Sequence, residues 1–314
     1  MSMGVVSRQL AAVLGFALAA CAPVSLQGQI HYASGQSVVP VFEGWERNPD
    51  GSFNMVFGYM NRNYEEEVDV PVGPGNNVEP GGPDRGQPGH FYPRRQEFVF
   101  KVKVPADWGD KDLVWTLESH GKVEKAYGSM LPVYELNTMV YLENRRGAAA
   151  LTFPEEPNKP PSIEMVGSSE RTAIAGQPLT LSVDVADDGY PRSRVRPVRA
   201  GFSREGNRDP NANALRAQSP STQAVVKLDP GVRLGVTWVV FRGGPGAVSF
   251  EPMRVAAVSA GPAASLPDPG PIAGRATTTV TFSEPGTYRL RAYADDGVLS
   301  TPLDVTVTVQ PAAR

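Results

Sequence analysis

Leu179, Leu181, Val183 and Val185 alternate with polar residues and stop at Asp187-Asp188-Gly189. Tyr288, Leu290, Ala292 and Ala294 repeat the pattern and stop at Asp295-Asp296-Gly297. Val236, Trp238 and Val240 share one strand face, Val280 and Phe282 close another, and Leu303, Val305, Val307 and Val309 make a last one. A period of two, punctuated by Gly, Pro and Asp, predicts half-buried strands, and this many of them predicts packed sheets. The N-terminal half has the same texture. Phe53, Met55, Phe57 and Tyr59 share one face, and Phe98, Phe100, Val102 and Val104 share another. Leu113, Trp115 and Leu117 follow, then a turn at His120-Gly121. Asn48-Pro49-Asp50-Gly51 is turn chemistry between the apolar runs Phe42–Trp45 and Phe53–Tyr59. The expected fold class is all-β, with two antiparallel β-sandwich domains.

The first 28 residues stand apart. Arg8 is followed by an apolar run from Leu10 to Ala20, too short to span a bilayer. A charged start and a short apolar stretch predict a secretory signal peptide over residues 1–28. Residues 29–155 then form the N-terminal sandwich and 156–161 a Pro-rich linker containing Asn158-Lys159-Pro160-Pro161. Residues 162–311 form the C-terminal sandwich, interrupted by a long insert at 190–230. Gly and Pro, 32 and 30 residues, suit many short strands joined by turns. The single cysteine, Cys21, excludes an internal disulfide, and His31, His90 and His120 are too scattered for a zinc motif. A net charge of -3 argues against nucleic acid or an anionic membrane as the main partner.

Three segments carry a family resemblance. Ala175-Gly176-Gln177-Pro178-Leu179-Thr180-Leu181 looks like the opening of a polycystic-kidney-disease (PKD) type repeat. Val236-Thr237-Trp238 with Gly244-Pro245-Gly246-Ala247-Val248 resembles its tryptophan strand and next turn. Glu284-Pro285-Gly286-Thr287-Tyr288-Arg289-Leu290 resembles its Pro-Gly-Thr-Tyr strand start. The resemblance covers about residues 160–311 and implies an extracellular Ig-like sandwich used as spacer or binding module. It implies that Trp238 fills the space between sheets and that the Tyr288 hydroxyl ties down a loop; Trp115 is the corresponding core candidate of the first half. Leu18-Ala19-Ala20-Cys21 resembles the lipobox of bacterial lipoproteins, which implies lipidation of Cys21; conventional cleavage near Gly28 is the alternative. The segments around Phe57–Asn63, Asp84–Pro88 and Val104–Gly109 resemble secreted bacterial proteins of uncharacterised role and imply no activity.

The insert departs from the PKD pattern. It carries eight basic and three acidic residues, a net of +5. A loop of this length is functional or disordered. A second Gly/Pro-rich loop, Pro71 to Gln96, follows the acidic run Glu65–Asp69. Arg94 and Arg95 are candidates for a bidentate anion contact or for pairing with that run, and Tyr92 and Trp108 for stacking on sugars or packing against nearby loops. Asp187, Asp188, Asp295 and Asp296 are expected to meet at one tip, where calcium or the Arg-rich insert compensates them, or to act only as turns.

No phosphate loop, dinucleotide fingerprint or nucleophile elbow is present, and no catalytic residue is expected. The expected function is a non-catalytic exported binding or scaffold protein of the bacterial envelope or surface, with a protein or glycan partner. A carbohydrate-binding or adhesion module is the alternative, and a carboxylate-based hydrolase a further one. No cofactor is expected other than calcium, and no membrane contact other than a lipid anchor.

Overall fold

The computed structural model describes residues 32–137, 139–141, 151–152, 158–190, 192–193, 225–226, 232–244, 246–259 and 270–312. The predicted export signal with Cys21, and most of the Arg-rich insert, lie outside the described residues.

The N-terminal half comprises β1 (Val38–Arg47), β2 (Phe53–Asn61), β3 (Val68–Asp69), β4 (Asn76–Glu79), β5 (His90–Phe91), β6 (Arg94–Val104), β7 (Leu113–Ser119) and β8 (Lys122–Gly128). Sheets of order β1-β2-β6 and β4-β7-β8 face each other, with β3-β5 as a short ribbon. Turn chemistry sets the β1–β2 hairpin: Gly51 N–H donates to Asn48 O, and the Asp50 carboxylate accepts from Ser52 N–H. Trp115, fully buried, sits among Phe57, Phe91 and Phe100 and donates its indole N–H to Asn76 Oδ1 at 2.9 Å.

The Gly/Pro-rich stretch after Pro71 is more than a loop. It supplies β4 and β5 and is stitched by buried amides. Asn76 Nδ2 donates to Val70 O and Pro88 O, and Gln87 Nε2 donates to Asn76 O and Pro83 O. Side-chain amides thus satisfy buried backbone that this irregular chain cannot pair with itself.

The C-terminal half follows a short pair, β9 (Leu151–Thr152) with β13 (Arg192–Ser193). It contains β10 (Ser162–Met165), β11 (Glu170–Ile174), β12 (Pro178–Asp187), β14 (Val232–Arg242), β15 (Val248–Glu251), β16 (Arg254–Ser259), β17 (Ile272–Phe282), β18 (Gly286–Asp295) and β19 (Ser300–Gln310). A sheet of order β10-β12-β17-β15 packs on one of order β11-β19-β18-β14-β16. Pairing is antiparallel except between β11 and β19. The alternating apolar rows of β12, β14, β17, β18 and β19 all enter one core between these sheets. Trp238 and Tyr288 are fully buried in it. The Tyr288 hydroxyl donates to Glu284 O at 2.9 Å and accepts from Gly246 N–H at 3.3 Å. Trp238 Nε1 has no partner among the described residues.

Candidate functional site

Two strand irregularities bring the halves together. On β6 the pairing with β2 jumps between Phe57–Phe100 and Tyr59–Gln96, so three residues, Glu97 to Val99, oppose Gly58. Phe98 takes φ 53, a backbone state unusual for a bulky side chain. It therefore leaves the row of Phe100, Val102 and Val104, against the alternation expected from the sequence. Its ring packs instead on Tyr141 and against the buried cluster that Tyr141 forms with Val56, Leu136 and the C-terminal residue Val298. Gly58 is required opposite the bulge, because a Cβ there would run into the Gln96 backbone carbonyl.

On β14 the pairing with β18 slips between Val240 and Arg242. The extra residue, Phe241, turns out of its own sandwich and is buried in the N-terminal core. Arg291 lies over it, the guanidinium 3.3 Å from the ring centroid. That guanidinium also makes a bidentate pair with Asp304 and donates to Val99 O in the β6 bulge. Tyr293 Oη donates to the same carbonyl at 3.0 Å. Gly89 N–H donates to Phe241 O, Val240 N–H to the Tyr92 hydroxyl, and Arg242 to Gln87 O and to both Asp84 oxygens. The Arg242 contact holds the Asp84 carboxyl at about 2.

The seam makes the two halves one compact unit, residues 32–314. The physical reason is visible in β14. Leu234, Val236, Trp238 and Val240 face the C-terminal core, and Thr237, Val239 and Phe241 are buried on the opposite face.

The residues proposed for ligand binding are occupied here. Arg95 Nη2 donates to both Glu43 carboxylate oxygens, at 2.7 and 2.6 Å, and Nη1 donates to Tyr59 O. Burial nonetheless raises the Glu43 carboxyl, with Arg95 opposing. Arg94 stacks 3.9 Å over the Tyr64 ring and donates to Arg62 O. Among the described residues neither arginine pairs with the run Glu65–Asp69, whose carboxylates face two histidines instead. His90 places Nδ1 2.9 Å from Asp69 Oδ1 and Nε2 3.1 Å from Glu67 Oε2, and His120 lies 3.3 Å from Glu66. Burial works against a charged His90, but Asp69 and Glu67 outweigh it and lift the ring to about 9. Tyr92 and Trp108 are not open stacking platforms. Trp108 is buried in the N-terminal core with its N–H on Lys111 O, and Tyr92 gives its hydroxyl to the seam.

The two Asp-Asp-Gly motifs form local turns. Asp187 Oδ2 accepts from Gly189 N–H and Asp188 Oδ1 from Tyr190 N–H. Asp295 Oδ1 accepts from Gly297 N–H, and Asp296 Oδ1 from Val298 and Leu299 N–H. Both glycines take the left-handed conformation, φ 88 and 95. The linker touches both turns: Asn158 Nδ2 donates to Asp296 Oδ2 at 2.9 Å, and Lys159 N–H to Asp188 Oδ2 at 3.2 Å. The turns thus share one end, but the four carboxylates are not gathered. No three carboxylates, imidazoles or thiols among the described residues are grouped as a metal cage. Burial raises Asp187 to about 6 and Asp296 to about 7.

Phe241, Arg291, Val298 and His90 were not singled out from sequence. The signal for the first was present: Val236–Phe241 is apolar at nearly every position, where a one-faced strand alternates.

No protein-family model matches the chain, and no curated protein matches it. Among solved structures, domains 4 and 5 of the S-layer protein SbsC align over 64% of this chain and 65% of that one, at 11% identity and a TM-score of 0.23. The chain therefore spans just under two thirds of that structure, and 28% of a longer SbsC structure. A chimeric titin Z1Z2 tandem aligns over 87% of this chain and all of its own length, at 9% identity and a TM-score of 0.20. The D00-D0 domain of intimin gives 9%, 87% and 0.19. Scores of this size establish neither a shared fold nor a shared role.

Proposed function

We propose that this chain is a non-catalytic exported scaffold or binding protein of the bacterial envelope, whose two sandwiches act as one stiff body. The observation that carries the reading is the seam. Phe241 of one sandwich completes the core of the other, and Arg291, Tyr293 and Arg242 each bond across it. Interfaces between domains that move are smaller and more polar than this arrangement of a core residue in its neighbour's core. A module that only presents or spaces a partner benefits from such stiffness, since ordering has been completed before binding. The export address rests on the pattern of residues 1–28, and the Ig-like architecture of the second half suits an extracellular spacer. No helix among the described residues is long and apolar enough to cross a membrane.

Amide ¹⁵N relaxation on the mature chain tests the stiffness. The reading predicts one rotational correlation time for both sandwiches. Two different values, or residual dipolar couplings that need two alignment tensors, would overturn it.

A further inference from the structure

Asp187 and Asp296 stand at corresponding places on facing sheets. In β12 the core-facing row runs Leu181, Val183, Val185, and Asp187 is its next member. In β18 the row runs Leu290, Ala292, Ala294, and Asp296 follows two residues on. Both carboxylates thus close the same end of the C-terminal core, with the linker residue Asn158 between the turns. Asp187, Asp296 and Asn158 are all more than nine-tenths buried.

At this end two buried oxygens have no hydrogen-bond partner among the described residues: Asp187 Oδ1 and Asn158 Oδ1. Each belongs to a side chain pinned by its other atom. Asp187 Oδ2 holds Gly189 N–H, and Asn158 Nδ2 holds Asp296 Oδ2. A buried oxygen acceptor left unpaired is unfavourable, so a partner is called for. The surrounding charge specifies its sign. Asp188 and Asp295 flank the site, and Arg233, the cation that opposes Asp187, spends its hydrogen bond on Gly189 O. The available donors are oxygens only, from one carboxylate, one carboxamide and nearby backbone, which is the donor set of a hard cation with variable coordination.

We propose that Asp187 Oδ1 and Asn158 Oδ1 are ligands of one Ca²⁺ ion, which ties the linker to the end of the C-terminal sandwich. Asp296 acts as a positioning residue, orienting Asn158 through its carboxamide N–H. Water completes the coordination, so a three-carboxylate cage is not needed. Few protein ligands and solvent sharing place the affinity with extracellular modules, at about 10⁻⁴–10⁻³ M.

The experiment uses the full mature chain, stripped with chelator and titrated with calcium alone in a calorimeter, alongside melts in chelator and in millimolar calcium. Expected are one ion per chain and a calcium-dependent rise in melting temperature. Asp187→Asn and Asn158→Ala should each weaken calcium binding at least tenfold; Asn158→Ala also lowers the melt in chelator, because Asp296 Oδ2 loses its donor, so its calcium response is read against its own melt in chelator. Asn158 lies outside the strands, so its variant carries the comparison should Asp187→Asn fold poorly. Absence of heat and of any shift in millimolar calcium overturns the site and leaves a buried water as the partner. An undiminished response in both variants likewise overturns it, since the ion would then sit elsewhere.

Discussion

The guanidinium of Arg291 lies 3.3 Å over the ring of Phe241, and Phe241 belongs to the core of the other sandwich. The pair joins three things: the bulge on β14, the bulge on β6 through Val99 O, and the Asp304 carboxylate on β19. Each half therefore exposes an unfilled surface when the other is absent.

Truncating Phe241 follows directly. The ring is 2% exposed and fills an N-terminal cavity from outside that half. Phe241→Ala should destabilise the whole chain by about 3–5 kcal/mol, the usual range for such a core truncation. Urea denaturation followed by fluorescence checks it. A loss of less than about 1 kcal/mol would mean that the ring is not core.

Arg291→Met separates stacking from hydrogen bonding. The methionine keeps an apolar stem over Phe241 and removes the bonds to Val99 O and Asp304. Asp304 is partly exposed and can be rehydrated, so the expected loss is about 1.5–3 kcal/mol, as for hydrogen bonds to charged groups. The same denaturation measurement reads it, and a neutral result would mean that Arg291 contributes to the seam by apolar contact with Phe241 and not by its hydrogen bonds.

The fold was largely legible and the seam was not. Alternation marks which residues of β12, β17, β18 and β19 face inward, because a strand with one wet face must alternate. Phe98 broke the rule, since nothing in the row Phe98, Phe100, Val102, Val104 announces that its backbone turns to φ 53. A bulge is decided by what the partner strand and the neighbouring sandwich offer, which is long-range information. Arg95 was read as an anion contact or a partner of the acidic run Glu65–Asp69, but the carboxylate it meets, Glu43, lies 52 residues away in sequence, a distance no local pattern bridges. The Asp-Asp-Gly turns read well as turns because Asp capping and a left-handed glycine are local chemistry. What their buried oxygens face depends on the linker folding back over both, and no local pattern encodes that.

A pH dependence should trace to His90. Glu67 and Asp69 face its two ring nitrogens, and the Tyr92 ring packs edge-on against it. Its folded value of about 9 lies above the ordinary 6.5. The stabilisation is therefore fully present below pH 6.5 and is lost as pH rises through about 9. Tyr92, raised by burial, keeps its proton across that window. Because Glu67 and Asp69 are half exposed, the contribution is discounted to about 1–3 kcal/mol. Denaturation midpoints of wild type and His90→Gln should converge as pH climbs through that range. A constant difference would remove His90 from the account.

Differential scanning calorimetry of the mature chain tests most directly the claim that the two sandwiches are one body. Phe241 in the N-terminal core and Phe98 against Val298 leave neither half complete alone. The predicted result is a single reversible transition whose calorimetric and van't Hoff enthalpies agree, the signature of all-or-none unfolding. Two resolved transitions, one of them unchanged in Phe241→Ala, would contradict it.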